Sequence, residues 1–278
     1  MLISSWQIIE LSFKFWLKNF KKLLPYLALM FVPTLILATL QYLTVFITTY
    51  APNLGFAAIL FVFAVGVAGV VLNIWVAIAM ARAIKSMWRE EVGHWKDVFL
   101  GSSHLIWPSI VINIILVAIM LAVIAVCSGV GIITHLLASS LPGPVVVALF
   151  AVLAIILLLV FGVMLAFAFY EVIFESSRNF SAVKASFHLV SKRWWSVFIR
   201  LFIPNLVFLL MMLVVQKIVT IPLWWLEDKT IMIVLPIVNS VLGLLMSPLS
   251  TAAIILLYQN LKDNPVSATQ SLPPTLNS

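Results

Sequence analysis

Charge is scarce in this chain. Only 9% of its 278 residues are Asp, Glu, Lys or Arg, while 64% belong to the apolar set. An ordinary soluble domain shows about 25% charged and about 45–50% apolar residues. A water-soluble fold of this length could not hide so much apolar surface, because more than half of any globular surface is already contributed by apolar atoms. That excludes a soluble enzyme, a disordered chain and a secreted disulfide scaffold. Cysteine is nearly absent as well. Cys127 stands alone in an apolar run, with no partner for a disulfide or a zinc site, and reads as a small buried apolar residue. Catalytic signatures are missing too: there is no P-loop, no G-x-S-x-G elbow and no Gly-rich dinucleotide fingerprint. His94, His104, His135 and His188 lack metal-ligand spacing, and H-E-x-x-H does not occur. No metal, no cofactor and no enzymatic activity are expected. The chain reads as an integral membrane protein.

What is present is long apolar runs. A spanning helix needs about 20 mostly apolar residues, and six stretches meet that length: 23–49, 54–81, 105–133, 144–170, 197–226 and 231–258. The first is too long for a signal-peptide core and lacks a prompt small-residue cleavage site, so it is expected to be retained. The expectation is one all-α domain over residues 1–262, a bundle of six transmembrane helices, followed by a polar, Pro-containing disordered tail over 263–278.

Cations fix an expected orientation. Lys14, Lys18, Lys21 and Lys22 precede the first span, and Arg82, Lys85, Arg89 and Lys96 separate the second from the third. Arg178, Lys184, Lys192, Arg193 and Arg200 lie around the connection between the fourth and fifth, and Lys262 follows the sixth. Only Lys217 and Lys229 fall on the other side. Short cation-rich loops stay in the cytoplasm, which predicts a multi-pass protein of a bacterial inner (plasma) membrane with both termini inside. Tryptophans agree with that frame. Trp6, Trp16, Trp88, Trp95, Trp194 and Trp195 fall at the inner boundary and Trp224 and Trp225 at the outer one, where an indole keeps one edge wet. Trp75 is the exception, well inside the second span. The outer connections are short, and no extracellular domain is expected. The net charge of +7 sits beside apolar runs, so its natural partner is anionic lipid and not nucleic acid.

The inner connections mix aromatics with cations. Residues 5–22 (SWQIIELSFKFWLKNFKK) and 181–196 (SAVKASFHLVSKRWWS) predict amphipathic helices lying in the interface. Ser12-Phe13 matches Ser186-Phe187 and Lys18 matches Lys192 at one offset of 174, with a weaker copy near Trp95–Trp107. Tyr170 and Tyr258 are 88 apart. The pattern suggests three parallel repeats, each an interfacial helix followed by two spans. These would not be the inverted pairs of many transporters.

Two stretches, KASFHLVSKRWWSVFIRLFIP (184–204) and SPLSTAAIILLYQNL (247–261), resemble a bacterial six-span family. That family includes the membrane domain that precedes the catalytic domain in some glycerophosphoryl diester phosphodiesterases, together with stand-alone relatives. The resemblance covers the spans and not the tail. Relatives tend to close with an acidic residue and Arg after the tyrosine, where Gln259 and Asn260 stand here. The resemblance implies six spans. It does not carry over the phosphodiesterase activity, which belongs to a separate soluble barrel.

Candidate sites are few. Glu171 and Glu175 stand one helical turn apart on one face. They form either an interfacial acidic pair relieved by Arg178 or, in an enzyme, a functional carboxylate pair. Arg82, Arg200, Lys192 and Arg193 are lipid-headgroup candidates, since guanidinium matches phosphate in a bidentate fork, although long cations at helix ends also snorkel. Lys217, the unusual charge within a span, either snorkels to the outer surface or pairs with Glu227 or Asp228. Asn73, Asn113, Asn205 and Asn239, with Gln41 and Gln216, are polar residues within spans. They read as interhelical hydrogen bonds or as the lining of a solute cavity, and Pro33, Pro204, Pro236 and Pro248 either kink their helices or free carbonyls for such a cavity.

Three functions are open at this point. The favoured one is a non-catalytic membrane protein that handles or senses lipid, or scaffolds a membrane-protein partner. The others are a small-solute transporter or permease component, and an intramembrane enzyme using the two glutamates. They differ in what they require: convergence of the four asparagines for transport, a groove lined by Arg82 and Arg200 for lipid, and a shared pocket for the glutamates in catalysis.

Overall fold

A computed structural model describes residues 2–50, 55–91, 93–137, 143–177, 179–221 and 228–265. Among these residues there is no strand, and the chain is helical almost throughout. The helices are α1 (Ser5–Tyr50), α2 (Gly55–Trp88), α3 (Trp95–Leu100), α4 (Ile106–Leu137), α5 (Gly143–Leu165), α6 (Ala168–Glu175), α7 (Phe180–Ser191), α8 (Trp194–Thr220) and α9 (Asp228–Asp263), with a 3₁₀ turn at Ser103–Leu105. Five segments are long and apolar enough to cross a bilayer: Leu60–Trp88, Trp95–Thr134, Gly143–Glu175, Trp194–Thr220 and Val238–Asp263. The first stretch expected to span, 23–49, lies within α1. The outer tryptophans Trp224 and Trp225, the cation Arg178 and the tail from residue 266 lie outside the described residues.

One expectation about α1 is corrected. Residues 5–22 do not form a separate helix lying in the interface, because α1 runs unbroken from Ser5 to Tyr50, through Pro25 and Pro33. A single stripe explains the continuity. Ile8, Ser12, Phe15, Asn19, Leu23, Tyr26 and Met30 recur at intervals of three and four residues, and all are buried. The stripe crosses the junction at residues 22 and 23 without changing face, so the same packing against α2 and α9 continues through it.

Among the described residues, most of the buried core lies at one end of the bundle. Its buried residues are the stripe on α1, Val76–Ile84 on α2, Val163–Ile173 around the join of α5 and α6, Val190 and Val197, and Leu249–Leu261 on α9. This is also the end that carries most of the Lys and Arg. Away from it the helices display apolar side chains outward, among them Phe63, Ile114, Val126, Val147, Ile155, Leu210 and Ile218. In water that surface would be costly; in hydrocarbon it is solvated. α4 and α5 pack closely near Gly131, where a Cβ would come 3.2 Å from the Phe150 ring. Small residues at such crossings let helices approach.

The apolar run from Gly143 is interrupted without proline or glycine at the break. α5 stops at Leu165 and α6 starts at Ala168. Ser186, fully buried on α7, serves the break: its hydroxyl donates to the Met164 carbonyl at 2.7 Å and accepts from the Phe167 N–H at 3.2 Å. α6 ends at Ser176, whose φ of 55° closes the helix in the left-handed conformation.

The matched positions of the suggested repeat have matched burial. Ser12 and Ser186 are both buried, and Phe13 and Phe187 are both exposed. The elements around them differ, however. The first copy is part of α1, the second is the six-residue α3, and the third is the free-standing α7.

Candidate functional site

Polar chemistry concentrates at the basic end, where α2, α6 and α9 meet. Glu171, in the first turn of α6, is 1% exposed. Its Oε1 lies 2.8 Å from Nζ of Lys262 in the last turn of α9. Glu175, one turn further on, is exposed. The two glutamates share a helix face and differ in burial, and among the described residues Lys262 is ion-paired to Glu171. Arg178, which the sequence offered for that role, lies outside the described residues.

An aromatic cluster fills the space behind this ion pair. Tyr170, Phe174 and Tyr258 have ring centroids 5.7–6.3 Å apart, and Phe167 joins through Tyr258 at 5.9 Å. Tyr170 and Tyr258, the pair separated by 88 in sequence, therefore touch in space. The Tyr258 hydroxyl is buried beside the Glu171 and Glu175 carboxylates. Lys85 of α2 lies 4.2 Å over the Phe174 ring, within cation–π range.

Lys85 also faces a polar cavity of about 220 Å³, lined by Arg82, Lys85, Ser86, Arg89 and Glu91 with Ile173 and Phe174. Three of these are cations and one is an acid. Arg82 is held in place by its Nη1, which donates to the Gly101 carbonyl at 2.7 Å and reaches Ser102 Oγ at 3.3 Å. Further along α2, its residues Phe63, Val67, Val70 and Ile74 face Ile110, Asn113, Val117 and Leu121 of α4 across a groove of about 720 Å³ that is apolar except for Asn113. Trp75, the residue after Ile74 on α2, stacks on Phe99 at 4.3 Å and donates to its carbonyl at 3.0 Å. That contact gives the one tryptophan deep in a span its partner.

The remaining candidates separate. Arg193 is absorbed by the fold: its Nη1 and Nη2 donate to the Asn264 and Leu261 carbonyls at 2.5 and 2.8 Å, and its Nε to the Leu189 carbonyl at 3.2 Å. Arg193 thus closes the C-terminus of α9, and burial pushes its pKa below the usual guanidinium value. Arg200 donates from Nε to the Ile3 carbonyl at 2.6 Å and from Nη1 to Ser196. It does not line the Arg82 cavity. Lys192 is exposed after α7, and Lys217 is exposed on α8.

Asn113 and Asn205 each donate to the carbonyl four residues earlier on their own helix, both at 2.7 Å. Asn239 has a buried Oδ1, and Asn73 is half-buried on α2. Of the four, Asn113 alone lines a cavity described above. Among the described residues no cavity brings the four asparagines together, and Gln41 and His135 have side chains outside the described residues. Cys127 is buried between α4 and α5 beside an apolar cavity of about 300 Å³.

Sequence reasoning singled out Arg82 but missed Lys85 and Arg89 as its companions, although successive spacings of three and four residues, at the end of α2 and in the turn just after it, place them on one side. No group of three or more His, Cys, Asp or Glu able to hold a metal occurs among the described residues. Compared with protein-family models, with curated proteins and with solved structures, the chain matches none of them.

Proposed function

We propose that this chain is a non-catalytic, multi-pass membrane protein that binds anionic phospholipid, with the lipid phosphate at Arg82, Lys85 and Arg89 and an acyl chain in the groove between α2 and α4. One observation carries the reading: the cationic cavity and the apolar groove are built on the same helix. Arg82 follows Ile74 by eight residues, about 12 Å along α2, which suits a headgroup beside the start of a chain. Anionic lipid answers both halves, since each cation near a charged leaflet contributes about 1 kcal/mol and the groove excludes water. α1 supplies the sixth span in this reading, with both termini in the cytoplasm of a bacterial inner membrane. The threefold repeat and the kinship with the six-span family are parts of the same proposal.

The competing functions have less support. A solute pathway needs the in-span asparagines to meet, and Asn113 and Asn205 are turned to their own helices. Catalysis by the two glutamates needs a shared pocket, and neither lines any of the cavities described above, while Glu171 is ion-paired to Lys262.

The test is native mass spectrometry of the gently extracted protein with identification of retained lipid. Arg82→Ala/Lys85→Ala is expected to lose bound anionic phospholipid, and Val70→Trp, which fills the groove, to lose it as well. Arg200→Ala should retain it, because that guanidinium is spent on Ile3 and Ser196. Unchanged retention in the first two variants would remove the proposal.

A further inference from the structure

A second basic feature lies on another face of the molecule, away from the Arg82 cavity. Lys14, Lys18 and Lys22 recur every four residues on α1 and line one side of a cleft of about 640 Å³. The end of α2 (Met87, Trp88, Glu90) and the end of α9 (Leu256, Gln259) supply the other walls. Lys22 and Met87 also border an adjoining hollow of about 480 Å³, which adds Lys21, His94 and Trp95.

An ordinary solvated face of lysines is convex and interleaved with acids. This one is concave. Glu90 is the acid within the cleft, and Lys14 is ion-paired to the exposed Glu10 at 2.6 Å. Like charges four residues apart on a helix repel one another, so the row does not help α1 to form. The floor is apolar: Phe15 is buried and meets Trp88 edge to face at 4.9 Å. Low-dielectric walls around one sign of charge focus the field into the cleft. The Gln259 carboxamide faces the same space and can hydrogen-bond a ligand that the ammonium groups attract, while Asn19, at its edge, is buried and donates from Nδ2 to the Phe15 carbonyl at 3.0 Å.

We propose that this cleft binds a compact anion with two or more phosphoryl charges, held by Lys14, Lys18 and Lys22. Lysine suits the role because its ammonium is a mobile point charge that follows a flexible phosphate chain. Successive lysines rise about 6 Å along α1, a separation that four-carbon stems close onto neighbouring phosphoryl groups. A single phosphate would leave part of the row unneutralised. The volume is within the range of about 300–1,000 Å³ typical of small-molecule sites. The diphosphate chemistry has two sources, a soluble polyphosphate or a lipid headgroup with two phosphates.

Both sources are tested on the full-length protein. In the first arm, protein in neutral-lipid nanodiscs is titrated with inorganic pyrophosphate by calorimetry. In the second, nanodiscs containing cardiolipin are used and retained lipid is read by native mass spectrometry. Lys18→Gln/Lys22→Gln is expected to weaken binding of the true ligand at least tenfold. Both side chains are exposed, so the thermal midpoint should remain that of the parent. Lys184→Ala, an exposed lysine on α7, controls for general basicity and is expected to change affinity by less than twofold. Pyrophosphate binding that falls with the pair assigns a soluble ligand; cardiolipin retention that falls with it, without pyrophosphate binding, assigns a lipid. If neither probe responds to the pair, or if Lys184→Ala weakens binding as much as Lys18→Gln/Lys22→Gln, the cleft is not a site.

Discussion

Lys262 and Glu171 join the end of the last helix to the start of α6, Nζ to Oε1 at 2.8 Å, with one partner buried and the other at the surface. Removing the cation strands a buried carboxylate. Breaking a fully buried pair costs about 3–5 kcal/mol, and the 36% exposure of the Lys262 side chain lets water make good part of that. Lys262→Met is therefore expected to destabilise the protein by about 1–2 kcal/mol. Glu171→Gln in the same chain should restore most of the loss, and a double-mutant cycle on thermal unfolding in detergent measures the coupling. Independent effects of the two substitutions would show that the pair does not couple.

Arg193 makes three donations to carbonyls at the ends of α7 and α9. Arg193→Ala is expected to cost about 2 kcal/mol, the range for hydrogen bonds to a charged group in a partly buried setting. Arg193→Lys should recover little, because one ammonium cannot span carbonyls that a planar fork reaches together. Hydrogen exchange over residues 258–264 reports the result: protection should fall in both variants.

Asn113→Leu and Asn205→Leu are expected to shift stability by no more than about 0.6 kcal/mol each, since each side chain bonds its own helix. Uptake assays in liposomes should not distinguish these variants from the parent. A large loss of stability in either would mean that the residue bridges helices in the membrane.

Ser176 holds a left-handed backbone at the end of α6. That conformation costs an L-residue about 1–2 kcal/mol and costs glycine almost nothing. Ser176→Gly is expected to raise the thermal midpoint, and Ser176→Val to lower it.

The apolar runs were legible because span length is set by a bilayer thickness that any sequence must match. Five described segments bear out that part of the reading. The junction at residue 22 was not legible, because Lys21 and Lys22 mark an apparent boundary while the buried stripe through Leu23 and Tyr26 ignores it. Nor was the break at residues 166–167, which is served by Ser186, nineteen or more positions away. The same holds for the site. Arg82 was visible as a cation at a helix end, but Arg193 and Arg200 looked equivalent to it. Their partners, Leu261 and Ile3, lie 68 and 197 positions away, and composition carries no trace of such pairing.

The packing of the bundle at one end has a mechanical consequence. Among the described residues, α2, α5, α6 and α9 are held together around Ile84, Phe167 and Leu257, which gives these helices a common fulcrum. A small rotation at the clamp becomes a displacement several times larger some 30 Å along each helix. The Glu171–Lys262 contact, beside that fulcrum, would move least.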